Sequence, residues 1–206
     1  MTVVDQARRL PRSYFRQTDT LQITRELLGK LMIAEVEKGK RTAGRIVETE
    51  AYLAPEDVAS HAYQYKYTKR TSTMFLPGGV AYVYLCYGIH AMFNIITREE
   101  GLPHAILIRA VEPLEGLDYM MERRSMDRVK RTLTAGPGCL TQAMGIHRGL
   151  DTTPLDGDVF SLADDGYQVG PDNIRTSPRI GIPSAGSYRD VPWRFYLDDN
   201  KWVSRP

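Results

Sequence analysis

The 206-residue sequence contains two cysteines, no long hydrophobic run and a net charge of only +2. Cys86 and Cys139 are too few for a disulfide framework and are not spaced as metal ligands, so we expect reduced thiols. HExxH and paired CxxC motifs are also missing. We therefore expect neither a metal ion nor a cofactor.

Targeting and membrane-spanning segments are missing as well. The N-terminal residues contain no apolar signal-peptide core, and no uninterrupted apolar run is long enough to cross a bilayer. We expect a cytoplasmic, intracellular protein, associated with the nucleoid if the source is bacterial, with no membrane partner. Because the chain is long enough for one sizeable core and short for two, we expect a single domain over residues 1–206. We also expect a monomer.

The small net charge gives little support for a protein that coats nucleic acid, but it is compatible with one that binds a short site. Positive charge is clustered within residues 123–131 and again at Lys66, Lys69 and Arg70. Such runs are more often solvated faces than binding sites, so the clusters alone do not identify a nucleic-acid surface.

Two carboxylates lie in the strand that alternation predicts over Thr42–Leu53. Successive side chains of a strand point to opposite faces, so Ile46, Glu48, Glu50 and Tyr52 should share one face. Two carboxylates beside an isoleucine and a tyrosine indicate a face that lines a cleft. The alternative is an edge or solvent-facing strand with hydrated glutamates, because Glu is almost always exposed.

A second stretch, residues 80–96, is rich in tyrosine. Tyr82 and Tyr84 should share one face of a strand, Gly88 permits a sharp turn, and the chain then returns as a second strand. The pattern predicts a β-hairpin with Tyr87 at its tip. An exposed tyrosine at a hairpin tip buries nothing unless a partner covers it.

The rest of the chain predicts short helices and strands. Asp19 should cap a helix that ends at Gly29. Further helices are predicted over residues 56–61, 114–133 and 139–144, and strands over residues 31–37, 105–111, 159–162, 179–182 and 193–197. Arg109 interrupts an apolar strand, so it either reaches water from an edge or pairs with a buried carboxylate, for which Glu48, Glu50 and Glu112 are the candidates.

Ten fragments along the chain form a specific combination of order and spacing, although each is weak alone. They are VETEAYL at 47–53, PED at 55–57, SH at 60–61, MF at 74–75, YVY at 82–84, YG at 87–88, Asn94, IRAVEP at 108–113, GP at 136–137 and PWRFY at 192–196. This combination resembles the alkyladenine (3-methyladenine) DNA glycosylase family of base-excision repair enzymes.

The resemblance implies a monofunctional DNA glycosylase whose partner is damaged double-stranded DNA. Such an enzyme flips an alkylated or deaminated purine out of the duplex, at a cost of about a few kcal/mol, and hydrolyses its N-glycosidic bond. The family's substrate class includes 3-methyladenine, 7-methylguanine, hypoxanthine and ethenoadenine. We expect an α+β fold, with a strongly curved, mainly antiparallel sheet, surrounding helices and a protruding β-hairpin.

The resemblance also implies catalytic roles. Glu50 matches the family's general base, which activates a water molecule beside C1′, and Arg109 matches an arginine that helps to hold that water. From the residues alone, Glu48 is an equal candidate for the base. No lysine lies among the matched pocket residues, so strand cleavage through a Schiff base is not expected.

Further residues match the family's binding positions. Tyr52, His61 and Tyr84 match the side chains that stack on the extruded base, where a cationic purine would gain about 0.5–2 kcal/mol from cation–π contacts. Asn94 matches the asparagine that obstructs the 2-amino group of guanine. Tyr87 matches the residue that enters the duplex where the base has left.

Contacts to the DNA backbone are expected at Lys69 and Arg70, in a polar loop, and at the glycine-rich start of a helix near Gly138. Three positions depart from the family's pattern. Cys139 replaces a common lysine, residues 64–67 are unusually aromatic, and residues 181–186 keep only part of a recurrent motif.

Two other functions fit parts of the sequence. A non-catalytic single-strand binder would use the tyrosines as stacking platforms and would need no carboxylate. A carbohydrate glycosidase would need both Glu48 and Glu50, at the separation of roughly 5–5.5 Å found in a retaining pair.

Overall fold

The structure, a computed structural model, describes residues 2–17 and 19–205. Its α-helices there are Val3–Gln6 (α1), Thr20–Glu26 (α2), Leu117–Arg124 (α3) and Pro137–Ala143 (α4). The strands of the same residues are Arg8–Arg9 (β1), Leu31–Ala34 (β2), Thr42–Leu53 (β3), Ala81–Cys86 (β4), His90–Thr97 (β5), His104–Glu115 (β6), Phe160–Asp164 (β7), Ile174–Ser177 (β8) and Arg194–Leu197 (β9). None of the described helices combines the length and apolar character that a bilayer crossing requires.

One curled antiparallel sheet organises the molecule, in the order β1-β7-β2-β3-β6-β5-β4. The long strand β3 is its centre, because β6 pairs along one side while β2 and then β9 pair along the other. Strand β8 extends the sheet beyond β9. The expected α+β class with a curved, mainly antiparallel sheet is therefore confirmed.

The two faces of the sheet pack into different hydrophobic clusters. Val83 and Phe93 belong to the main core, in which α2 and α4 cover the sheet. Tyr82 and Ile96, at alternating positions of the same strands, join a smaller cluster on the other face. Tyr84 packs against that smaller cluster. The predicted shared face of Tyr82 and Tyr84 is thus confirmed, and it lies opposite the main core.

Strands β4 and β5 form the tyrosine hairpin, with Cys86 opposite His90. Tyr87, Gly88 and Ile89 make the turn, in which Tyr87 has a φ of 51° and Gly88 one of 75°. Positive φ at two successive positions is the conformation that a tight hairpin turn demands. The turn exposes 91% of Tyr87 and 73% of Ile89, so two large apolar side chains stand in solvent.

Two of the three register shifts between β3 and β6 lie next to Glu48. Ile46 pairs with Val111 and Glu48 with Ala110, so Val47 is an extra residue in β3. Thr49 then pairs with Ile108, so Arg109 is an extra residue in β6. A bulge turns a side chain away from simple alternation. The expected common face of Ile46 with the two glutamates is therefore interrupted at Val47, and both Ile46 and Val47 enter the main core.

Several predicted helix bounds were wrong. Asp19 does cap α2, because its carboxylate accepts the N–H of Gln22 at 3.0 Å, but the helix ends at Glu26 and a turn leads from there to Gly29. The helix predicted over residues 114–133 is only α3, because β6 continues to Glu115 and Ser125 takes a left-handed conformation. Residues 56–61 form turns instead of a helix, because Asp57 binds the N–H groups of Leu53 and Ala59.

Two strand predictions also needed correction. Strand β2 ends at Ala34, because the Glu35 carboxylate accepts the N–H of Gly39 at 2.8 Å and closes the turn. Residues 179–182 form no strand; β8 lies earlier, and the Arg179 side chain is drawn into the interior.

The basic cluster within residues 123–131 is largely occupied by contacts inside the fold. Arg123 donates to the Ala143 carbonyl, Arg124 to the Thr132 carbonyl and Arg131 to the Val203 carbonyl. These contacts join α3 and the following segment to α4 and to residues 202–205, so the cluster mainly serves packing.

Candidate active site

The Glu50 carboxylate lies on β3, fully buried, with three donors around it. Tyr52 Oη donates to Oε2 at 2.8 Å, the Ile180 N–H donates to Oε1 at 2.7 Å, and Arg109 Nη1 lies 3.3 Å from Oε1. A carboxylate accepts about four hydrogen bonds, two on each oxygen. The capacity for a further donor is therefore on Oε2, the oxygen shared with Tyr52.

Glu48 is also fully buried, and it accepts four hydrogen bonds. Arg109 Nε at 2.9 Å, Arg194 Nε at 2.8 Å and Ser204 Oγ at 2.8 Å reach Oε1, while the Ser204 N–H reaches Oε2 at 2.7 Å. Burial by itself raises the pKa of Glu48, but Arg109, the Ser204 N–H and Arg194 lower it, and the net direction is below its ordinary value.

The structure therefore separates two carboxylates that the sequence left equivalent. Glu48 is ionised and accepts four hydrogen bonds, from two arginines and Ser204, whereas Glu50 accepts three contacts, two on Oε1 and one, from Tyr52, on Oε2. The carbohydrate-glycosidase alternative needed both acids to react, and the enclosure of Glu48 removes its second group.

Arg109 lies between the two glutamates, and 6% of it is exposed. Burial lowers the pKa of Arg109, but the charges of Glu50 and Glu48 raise it above its ordinary value. The guanidinium is thus a fixed positive charge at the site. Glu48 and Glu50, two of the three candidate partners of Arg109, are thus its partners. The third candidate, Glu112, accepts a long 3.5 Å contact from Asn200 instead.

Aromatic rings stand next to the Glu50 carboxylate. Tyr52, His61 and Tyr84 line one small cavity of about 30 Å³ together with Tyr82 and Asn94. The His61 and Tyr84 rings meet edge to face at 4.5 Å, and Tyr82 and Tyr84 lie 5.3 Å apart. The structure thus brings together all four side chains expected to bind the base, on the face opposite the main core.

His61 is held as a neutral ring with a defined tautomer. Arg70 Nη2 lies 3.1 Å from Nε2, and since a guanidinium only donates, Nε2 is the acceptor. The proton therefore sits on Nδ1, which donates to Tyr82 Oη at 3.0 Å. Burial, with the nearby charge of Arg70, lowers the pKa of His61 to about 4.

This shift predicts a pH-dependent stability. The unfolded chain binds a proton at His61 below about pH 6.5, whereas the folded protein does so only near pH 4, so the free energy of unfolding should fall as pH drops across that window. The loss from this group is at most about 3 kcal/mol. Urea unfolding at pH 7 and pH 4.5 should show a smaller loss in His61→Gln than in the wild type. Equal losses in both proteins would contradict the assignment.

Asn94 is 4% exposed, and hydrogen bonds fix its amide. Its Nδ2 donates to the Tyr82 carbonyl at 3.1 Å, across the β4–β5 pair. The amide therefore has one orientation at the wall of the cavity.

The residues expected to touch the DNA backbone are more dispersed. Arg70 lies at the cavity, with its guanidinium 5.0 Å from the Tyr84 ring centre, while Lys69 is exposed. Gly138 lies in the first turn of α4, where an added Cβ would come within 3.3 Å of His90, the first residue after the hairpin turn.

The residues that contact Glu48, Glu50 and Tyr52 from other segments were not predicted from the sequence. Arg179 pairs with the buried Asp57 at 2.5 Å and lies 4.6 Å from the Tyr52 ring centre. The next residue, Ile180, supplies the N–H that holds Glu50. Arg194 and Ser204 hold Glu48. Arg179 and Arg194 lie in the segments predicted as the brief strands 179–182 and 193–197, but nothing in those segments indicates which distant carboxylate each arginine meets.

Sequence comparison relates the chain to known proteins. Residues 14–201 match the family described as methylpurine-DNA glycosylase. A Chlamydia felis protein named "Putative 3-methyladenine DNA glycosylase" is 44% identical over 193 residues, covering 93% of this chain and 97% of its own length. A Desulfitobacterium hafniense protein of the same name is 42% identical over 204 residues, covering 96% of this chain and 98% of its own length.

Proposed function

This chain belongs to the methylpurine-DNA glycosylase family and is a DNA N-glycosylase for alkylated bases; from that premise we propose that it hydrolyses the bond to a flipped purine with water activated by Glu50. The observation that carries the proposal is one contact. Tyr52, which lines the aromatic cavity, donates to the same Glu50 oxygen that can still accept a proton donor. Base binding and water activation thus meet at one carboxylate.

The proposed step needs no covalent intermediate. A water molecule donates to Glu50 Oε2, its oxygen attacks C1′, and the N-glycosidic bond breaks with its electrons leaving on the base. Glu50 receives the proton. The buried negative charge of the carboxylate also favours the oxocarbenium-like sugar, because the surrounding low dielectric strengthens the attraction.

Arg109 is proposed to keep Glu50 aligned for this step. Its Nη1 and the Ile180 N–H both approach Oε1, which leaves Oε2 to face the reacting water. The positive charge of Arg109 also offsets the repulsion between the Glu50 and Glu48 carboxylates, which share this one arginine.

The rings are proposed to bind the purine by stacking. Tyr52, Tyr84 and neutral His61 present π faces and edges without a positive charge of their own, which suits a cationic alkylated purine. The proposed substrates are 3-methyladenine, 7-methylguanine, hypoxanthine and ethenoadenine.

Base entry requires the cavity to open. Its volume of about 30 Å³ is enough for one or two water molecules, not for a purine. A larger cleft of about 770 Å³ shares Ser60 and His61 with it and is bordered by Arg70. Movement of the exposed Arg70 side chain away from the Tyr84 ring would join the two spaces.

The hairpin turn is proposed to enter the duplex. Tyr87 has a large ring with 91% of its surface exposed, and such a side chain gains burial only from a partner. Lys69, Arg70 and the backbone at Gly138 are proposed contacts to DNA phosphates. We further propose that residues 1–206 act as one domain, as a monomer inside the cell.

The test is a duplex with a single hypoxanthine, incubated with the protein and then heated in alkali. We expect strand cleavage only after the alkali step, together with release of free hypoxanthine, which means base removal without lyase activity. Tight binding without any free base would instead favour the non-catalytic single-strand binder.

Asn94→Ser should relax the selection against guanine. The smaller side chain removes the amide at the cavity wall, so bases that carry a 2-amino group should enter more easily. We expect the ratio of guanine to hypoxanthine excision to rise by about tenfold or more. Single-turnover rates on matched duplexes measure this ratio, and an unchanged ratio would refute the proposed role of Asn94.

A further inference from the structure

Glu48 contacts Arg109, the arginine that also meets Glu50. Its Oε1 accepts Arg109 Nε at 2.9 Å, and the same guanidinium then approaches Glu50 through Nη1 at 3.3 Å. Arg109 is thus divided between two carboxylates, one atom to each. The direction in which it meets Glu50 depends on Glu48.

Glu48 is in turn held by residues 202–205, here called the closing segment. The Ser204 N–H and Oγ donate to Glu48 at 2.7 and 2.8 Å. Trp202 and Val203 are buried, with 5% and 2% of their surfaces exposed. The closing segment is therefore packed into the protein and aims Ser204 at the carboxylate.

Two arginines fix the closing segment. Arg131 Nη2 donates to the carbonyls of Val203 at 2.7 Å and Ser204 at 2.9 Å. Arg194 donates through Nε to Glu48 at 2.8 Å, through Nη1 to Ser177 Oγ at 2.9 Å, and through Nη2 to the Arg205 carbonyl. One guanidinium thereby joins Glu48, β8 and the closing segment.

We propose that Glu48 and Ser204 are positioning residues for the reaction, which hold Arg109 so that Oε2 of Glu50 stays available to water. The inference rests on the proposed function of Glu50. It assigns the closing segment, which lies 156 residues from Glu48 along the chain, to the catalytic centre.

The physical reason is the geometry of the guanidinium. Arginine pairs most strongly with a carboxylate through two parallel N–H groups, one to each oxygen. With its Nε held by Glu48, Arg109 offers Glu50 only Nη1. Without that hold, Arg109 can turn and cover both oxygens of Glu50, including the one that must accept a proton from water.

The test compares Ser204→Ala, Ser204→Thr and Glu48→Gln with the wild type. Single-turnover excision of hypoxanthine from a duplex measures the chemical step, and the Kd for a duplex with a tetrahydrofuran abasic analogue measures binding. We expect excision about 100-fold slower in Glu48→Gln and about fivefold slower in Ser204→Ala. Ser204→Thr, which restores the hydroxyl, should recover the wild-type rate, and every Kd should stay within about threefold of wild type.

Glu112→Gln is the matched control, because Glu112 lies on the same strand as Arg109 and has only the long contact to Asn200. It should excise at the wild-type rate. If Glu48→Gln does not fold, the comparison of Ser204→Ala with Ser204→Thr tests the proposal. Wild-type excision by Ser204→Ala, a slow rate that Ser204→Thr does not recover, or slowing explained entirely by a weaker Kd would each overturn the proposal.

Glu50→Gln, measured beside these variants, distinguishes a failure of the proposed function from a failure of the positioning role alone. Wild-type excision by Glu50→Gln removes the proposed function itself. An inactive Glu50→Gln with a fully active Ser204→Ala leaves the proposed function in place and removes only the positioning role.

Discussion

Glu50→Gln should slow base excision by about 10³-fold while DNA affinity stays within about threefold of wild type. The amide keeps the shape of the side chain, so the contacts of Tyr52, Ile180 and Arg109 can largely be made. It cannot take a proton from water or offer a negative charge to the sugar. Single-turnover excision from a hypoxanthine duplex, followed by alkali, measures the loss, and a gel-shift titration measures affinity.

Glu56→Gln is the control for this experiment. Glu56 is an exposed glutamate six positions further along, and the same chemical change there should leave excision unchanged. Residual turnover near wild type in Glu50→Gln rules out Glu50 as the base. A loss of binding in parallel with the loss of excision would point instead to a carboxylate that only supports the cavity.

Arg179→Met should lower the free energy of unfolding by about 3–5 kcal/mol. The Asp57 and Arg179 side chains are both fully buried and meet at 2.5 and 2.8 Å, so methionine would leave Asp57 as an uncompensated charge in the interior. Arg179 also donates to the Ala51 carbonyl at 2.8 Å, beside Tyr52. Urea unfolding at pH 7 gives the value.

Two further variants make the comparison specific. Arg175→Met breaks an exposed pair with Asp198 and should cost less than about 1 kcal/mol. The double variant Asp57→Asn with Arg179→Met removes both charges, so it should lose less stability than Arg179→Met alone. If Arg175→Met and Arg179→Met cost the same, the buried pair does not contribute as proposed.

Local sequence patterns predicted the parts of the site that come from single strands. Period-two alternation placed Tyr82 and Tyr84 on one face, and turn chemistry placed Tyr87 in the hairpin turn. The same alternation identified Glu48 and Glu50 as neighbours. It could not rank them, because the ranking depends on donors that arrive from other segments.

Two local predictions were wrong because side chains form hydrogen bonds that compete with the regular backbone hydrogen bonds of a helix or strand. Residues 56–61 have the composition of a short helix, but the Asp57 carboxylate binds backbone N–H groups and Arg179 instead. Residues 179–182 look like a strand, but the same ion pair draws Arg179 inward. One buried pair, joined across 122 residues, changed both outcomes.

The sequence by itself predicted the class of fold, because alternation and turn residues are local properties, and its resemblance to the family implied four of the side chains that line the cavity. Only the tertiary structure decided which of the two glutamates contacts a side chain of the aromatic cavity. That choice depends on a bulge that redirects Arg109, on the Ile180 N–H from 130 residues away and on Ser204 from 156 residues away. Hydrogen bonds act over about 3 Å in space, whatever the distance along the chain.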